Sequence, residues 1–200
     1  MLQRVSIILC IGCLIGCSSD GEDRNDEITS LPYYPISKGM FWEYRGNNTL
    51  RTVHVLKIIR LKGAPCAVVQ TKEKGKGTTV EYVHTNSAGV FVVATGKNYL
   101  SSPIPLLKLP LKTDNHWEFK IRPKNRKEVL QARYLVEPEE TVKVPMGEYT
   151  AIPVRGEVYN KGQRVQTLYY WFAKDVGIIK QQLETQDSSV VYELVSFQDG

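Results

Sequence analysis

The chain predicts an all-β domain of antiparallel strands, and three observations carry that expectation. Short runs rich in Val, Ile, Thr, Tyr and Phe recur from residue 41 to residue 197, the composition that suits a pleated, half-buried surface. Turn chemistry separates them, as in Lys62-Gly63-Ala64-Pro65, Lys74-Gly75-Lys76-Gly77, Asn86-Ser87-Ala88-Gly89, Asn160-Lys161-Gly162 and Lys174-Asp175-Val176-Gly177. After residue 31 no window sustains a 3.6-residue apolar stripe with caps at its ends. About eleven strands make a sheet wide enough to curl or split. A curved antiparallel sheet, an open barrel or a sandwich built from two meander halves all satisfy the pattern.

The expected strands run over 41–45, 52–61, 66–71, 79–84 and 90–94, then over 117–121, 130–136, 149–158, 165–172, 178–183 and 190–197. Tyr192-Glu193-Leu194-Val195-Ser196-Phe197 shows the half-buried alternation, with Glu193 on the opposite face from Tyr192. Between the two sets lies a run with Pro103, Pro105 and Pro110. Proline donates no ladder hydrogen bond, so this run is read as a linker, neither central strand nor long helix.

The sequence repeats itself on either side of that linker. Residues 35–45 align with 110–120 without a gap, matching Pro35 to Pro110, Trp42 to Trp117 and Glu43 to Glu118. Residues 80–91 align in the same way with 168–179, and the turn Lys76-Gly77 corresponds to Lys161-Gly162. The offset widens along the chain, which places an insertion of about ten residues around 137–148. Pseudo-repeats over about 34–96 and 109–182 are the expected halves of one domain, residues 31–200. At that size a single core buries about 70% of the unfolded surface.

The first seventeen residues point to where the protein works. Arg4 precedes an apolar run from Val5 to Ile15, too short to span a bilayer. Leu14-Ile15-Gly16-Cys17 resembles the lipobox of bacterial lipoproteins. That resemblance makes 1–16 a lipoprotein signal peptide and Cys17 the first mature residue, carrying acyl chains such as palmitate on its sulfur. Residues 17–30 then read as the lipidated cysteine and a flexible tether. Asp20, Glu22, Asp23, Asp26 and Glu27 repel one another and anionic lipid, which favours extension away from the membrane. Ser18 after the cysteine resembles an outer-membrane sorting signal, so a lipid anchor in the outer membrane is expected, on its periplasmic or its surface face. Leaving out the signal peptide and the tether leaves 24 basic against 16 acidic residues on the domain, a charge of +8 against +5 for the whole chain.

Three segments resemble a group of bacterial envelope lipoproteins without established function, the TapB-like group. They are Tyr34-Pro35-Ile36-Ser37-Lys38-Gly39-Met40-Phe41-Trp42-Glu43-Tyr44, Val144-Pro145-Met146-Gly147-Glu148-Tyr149-Thr150-Ala151, and Tyr170-Trp171-Phe172-Ala173-Lys174-Asp175-Val176-Gly177-Ile178-Ile179-Lys180. Met146 and Asp175 depart from the small and turn-forming residues usual there. The group carries no established catalytic residues, so the resemblance implies none here. Gly39, Gly147 and Gly177 have turn duty, and Trp42 and Trp117 are paired core anchors.

Chemistry-bearing motifs are scarce. His54, His84 and His116 have no metal-ligand spacing, and Cys66 alone remains on the domain, as a small buried hydrophobe. There is no Gly-x-Ser-x-Gly elbow and no phosphate-cradling loop. Glu137, Glu139 and Glu140 flank Pro138 in what reads as a solvated loop, and Lys120, Arg122, Lys124, Arg126 and Lys127 as a basic loop tip. The expectation is therefore a non-catalytic envelope lipoprotein with no cofactor, no metal and no nucleic-acid partner. It binds a hydrophobic or amphipathic ligand or an envelope protein. The alternative is a structural or assembly role, with an unrecognised hydrolase behind it. The anchor is testable directly: Cys17→Ser releases the protein from the membrane fraction and lowers its mass by the lipid, whereas an unchanged mass and fractionation refute the lipobox.

Overall fold

The computed structural model describes residues 28–47, 49–122 and 128–200. The expected signal peptide, Cys17 and the tether to residue 27 lie outside the described residues, as do Lys124, Arg126 and Lys127. Among the described residues there is no helix, and thirteen strands form one antiparallel sheet. The first six are β1 (Phe41–Gly46), β2 (Leu50–Leu61), β3 (Ala64–Glu73), β4 (Gly77–Asn86), β5 (Gly89–Thr95) and β6 (Asn98–Lys108). The others are β7 (His116–Ile121), β8 (Leu130–Val136), β9 (Glu140–Val144), β10 (Gly147–Asn160), β11 (Gln163–Ala173), β12 (Gly177–Glu184) and β13 (Ser189–Gln198).

Almost every strand pairs with its neighbour in the chain, and β13 pairs back onto β1. The result is an up-and-down barrel, closed all round except at one seam between β6 and β7. β9 stands off the main path as the outer partner of β10. The seam has a chemical cause. β6 contains Pro103 and Pro105, which have no N–H to give a neighbour, so it must lie at an edge. A side chain bridges the gap instead: the Trp117 indole on β7 donates to the Pro105 carbonyl at 3.3 Å.

Two expectations change here. The proline run is not a linker throughout, because residues up to Lys108 belong to β6, and the connection to β7 occupies only 109–115. Thirteen strands replace the expected eleven, the additions being β6 and β9. β9 falls in the region expected to hold an inserted stretch.

Strand direction alternates, so the turns collect at two ends of the barrel. Turns at 62–63, 87–88 and 174–176 mark one end; those at 74–76, 96–97 and 185–188 mark the other. Residues 28–40 form a strap over the first end. The Thr29 carbonyl accepts from the Thr85 hydroxyl on β4, and the Pro32 carbonyl accepts from the Asp175 N–H at 2.6 Å. Ile28, Leu31, Ile36 and Met40 are buried beneath it. Fully burying an aliphatic side chain such as Ile36 contributes about 1.5–3 kcal/mol. Ile28, Thr29 and Ser30, read from the sequence as the end of the tether, are thus packed onto the domain.

Twice the barrel wall sets an aromatic ring across a glycine. Tyr134 on β8 faces Gly156 on β10, and Tyr192 on β13 faces Gly46 on β1. A Cβ at Gly156 would lie 2.7 Å from the Tyr134 ring, and one at Gly46 would lie 2.9 Å from the Tyr192 ring. Tyr134 in turn stacks on Trp117 with centroids 5.3 Å apart, so its position fixes the aromatic lining of the second half. Gly156→Ala is expected to destabilise the domain by about 1–3 kcal/mol, the usual cost of overpacking. Thermal unfolding followed by circular dichroism reads this, and an unchanged midpoint would refute the contact.

Candidate functional site

The barrel interior is not uniformly filled. On the Trp117 side, Trp117, Tyr134 and Phe119 stack in sequence, with centroids 5.3 Å and 5.5 Å apart. On the Trp42 side a cavity of about 250 Å³ remains, running between the strap and β1–β4. Period-two alternation builds its walls. Arg51, Val53 and Val55 point inward from β2, Val69 and Thr71 from β3, and Thr79 and Glu81 from β4. Tyr34, Pro35 and Ile36 of the strap form the roof, and Tyr170 and Gln181 close the far side from β11 and β12.

The aromatic walls are held in place by their polar tips. Trp42 Nε1 donates to the Val176 carbonyl and the Tyr44 hydroxyl to the Ile178 carbonyl, each at 2.8 Å. Trp42 also stacks on Phe197 at 5.5 Å between centroids. The strap can approach β12 this closely because Gly177 has a φ of +88° and its missing Cβ leaves room for Pro35. Asp175 beside it has a φ of +62°, a left-handed conformation that Asp tolerates better than most residues. Burial pushes the hydroxyls of Tyr34, Tyr44 and Tyr170 up, so all three are neutral donors or acceptors at physiological pH.

Two charged groups face this cavity. Arg51 lies towards the end opposite the strap, within an ion cluster. Its Nη2 bonds Glu73 Oε2 at 2.9 Å and its Nη1 bonds Gln181 Oε1 at 2.9 Å. The guanidinium carbon sits 3.5 Å above the Tyr192 ring centroid. Lys76 Nζ reaches Glu73 Oε1 at 2.7 Å, and the Tyr192 hydroxyl donates to the same carboxylate. Arg51 Nε is buried and has no hydrogen-bond partner. Glu81 is different. It lines the cavity half-buried, and burial raises its carboxyl above the ordinary range; among the described residues no ion pair to it is formed.

The cysteine, histidines and acidic residues weighed for chemistry in the sequence fall elsewhere, whereas Trp42 and Gly177 line the cavity. Cys66 is buried on β3 and burial raises its thiol, which fits a packing role. His84 Nδ1 lies 2.9 Å from the Pro65 carbonyl and Nε2 lies 3.3 Å from Asn86 Nδ2, so its ring engages groups other than that thiol. His54 packs edge-on against Phe41, and His116 lies near the Asp114 carbonyl. No group of three metal-ligating side chains occurs among the described residues. Glu137 and Glu140 are not free loop acids: Glu137 pairs with Arg155 at 2.8 Å, and Glu140 accepts from the Trp171 indole at 2.6 Å.

Arg51 and Glu81 were not singled out in the sequence. Arg51 shares the stripe of Val53 and Val55, so a charge on an apolar face was there to be seen. Glu81 gave no such signal, because Val80 and Tyr82 made the opposite face of that strand look like the inner one.

No protein-family model matches the chain, and no curated protein matches it in sequence. Two solved structures share its fold. One is a candidate lipoprotein from Parabacteroides distasonis, 12% identical, with a TM-score of 0.53 over 85% of this chain and all of its own. The other is a candidate exported protein with a YmcC-like fold from Bacteroides fragilis, 10% identical, with a TM-score of 0.53 over 82% of this chain and 98% of its own. At such identities the likeness extends to the fold.

The ion cluster makes stability depend on pH in one direction. Burial by itself raises the Glu73 carboxyl, but bonds from Lys76, Tyr192 and Arg51 outweigh it and hold the group below its ordinary value. A depressed carboxyl contributes stability that is complete above the unfolded value of about 4.3 and is lost as pH falls through the lower folded value. Glu73→Gln is therefore expected to lower stability at pH 7 and to flatten its decline below pH ~4. Denaturant titrations across pH check this; parallel profiles for the two proteins would refute it.

Proposed function

We propose that this protein is a non-catalytic lipoprotein of the bacterial envelope, held by lipid on Cys17, whose barrel takes a small amphipathic ligand into its Trp42 side. One observation carries the reading. A cavity of about 250 Å³ lies inside the barrel, and its aromatic and aliphatic walls include Arg51, whose buried Nε has no hydrogen-bond partner, and the half-buried Glu81. Binding pockets have this make-up, mostly apolar with a few placed polar groups.

The envelope part of the reading draws on the Leu14-Ile15-Gly16-Cys17 quartet and on the two fold relatives, described as a lipoprotein and an exported protein in their own species. Ser18 favours the outer membrane over the inner. A structural or assembly role has one observation of its own, the unpaired edges of β6 and β7 at the seam, which could receive a strand from another envelope component.

Native mass spectrometry of the whole protein extracted from membranes distinguishes the two. A small molecule retained at one per chain, and lost when Val53→Trp fills the cavity, is the expected result. A protein partner retained with the cavity empty would favour assembly and overturn the ligand reading.

A further inference from the structure

The cavity's polar groups also say which chemistry its occupant brings. This step rests on the ligand-binding reading above. We propose that the cavity binds an organic ammonium group, seated between the Glu81 carboxylate and the rings of Tyr34, Trp42, Tyr44 and Tyr170, with a short apolar tail along the valines of β2 and β3.

Glu81 lines the cavity with no counter-charge, and burial alone governs its carboxyl. A carboxylate in that position needs a cation or strong donors to offset its desolvation. Four aromatic residues line the same space. Trp42 and Tyr44 have already committed their N–H and O–H to backbone carbonyls. They have no donor left to offer an anion, and what remains is ring surface, which attracts cations. Held by those bonds, the rings need no reordering on binding.

Arg51 does not supply the missing charge. Its guanidinium is engaged by Glu73, by Gln181 and by the Tyr192 ring. Arg51 is felt instead at Tyr44 and Tyr170, and Tyr170 also feels Glu81. The free Arg51 Nε marks that end of the cavity for an acceptor atom on the same ligand. Room for roughly eight water-sized groups suits a compact amine or one amine-bearing head group rather than a whole lipid. Val53, Val55, Val69 and Ile178 provide the apolar contact for its tail.

The test is calorimetric titration of the whole protein with n-hexylammonium, n-hexanol and n-hexanoate, which share a tail and differ in charge. Hexylammonium is expected to bind at least about tenfold tighter than hexanol, and hexanoate weakest of the three. Glu81→Gln should remove the preference for the amine while its unliganded melting temperature stays equal or rises, since an unpaired buried charge has been taken away. That second reading separates a binding role from a structural one, in which the melting temperature falls. Dihexanoyl phosphatidylethanolamine against dihexanoyl phosphatidylglycerol extends the comparison to lipid. Tighter binding of the former than of hexylammonium identifies an aminolipid as the source, and the reverse identifies a free amine. Hexanoate binding as tightly as hexylammonium, or a Glu81→Gln protein that keeps the amine preference, overturns the ammonium assignment and leaves an amphipathic ligand in place. If none of the probes binds and no small molecule co-purifies, both readings fall.

Discussion

The pairing of β1 with β13 is the contact on which the rest of the structure depends. Without it the chain would be two meanders, β1 to β6 and β7 to β13, with no ladder between them and each with an apolar face to hide. A short strand does the joining: Phe41 to Gly46 bonds β2 on one side and β13 on the other, with a bulge after Glu43. The same six residues place Trp42 and Tyr44 inside the barrel, where their hydrogen bonds reach β12 and the turn before it. Closure of the sheet and construction of the cavity wall are thus one event, and the strap that roofs the cavity leads directly into β1. Long-range closure of this kind costs loop entropy early in folding, and the barrel recovers it only when the last strand arrives.

The two sides of the interior resolve the same problem differently. Each has a tryptophan near the start of a strand and a tyrosine lying across a glycine. Around Trp117 the neighbours are Tyr134 and Phe119, flat rings that stack and exclude space. Around Trp42 only Phe197, among the described residues, stacks on the indole; the positions across the cavity on β2 to β4 are Val, Thr and charged residues, and the strap sits above them without filling the volume. Whether a cavity persists is decided by the shapes of a few side chains, while the strand order is common to both sides.

Much of this fold was legible in the sequence. β-branched and aromatic runs between glycine-rich turns identified eleven of the strands, because such strands are punctuated locally. β6 was hidden by its own prolines, whose exclusion from a central strand is correct and whose tolerance at an edge only the closed sheet reveals. β9 was hidden by Glu139 and Glu140, charges that a strand outside the main path can carry on exposed positions. The site was less legible than the fold. Its aromatic residues looked like core, and they are; Glu81 acquires its meaning from Tyr34 and Tyr170, which come from distant parts of the chain. No local pattern encodes that meeting.

The seam gives the barrel a property that a sealed one lacks. In a closed barrel the number of strands and their stagger fix the girth, and no strand can shift without breaking a ladder. Here one ladder is replaced by a side-chain contact, the Trp117 indole on the Pro105 carbonyl, close to Leu106 in the cavity wall. The hoop is therefore elastic at a single place. A change of girth at that place would leave every interstrand backbone hydrogen bond intact. The circumference of the molecule is fixed by backbone ladders everywhere but at this one contact.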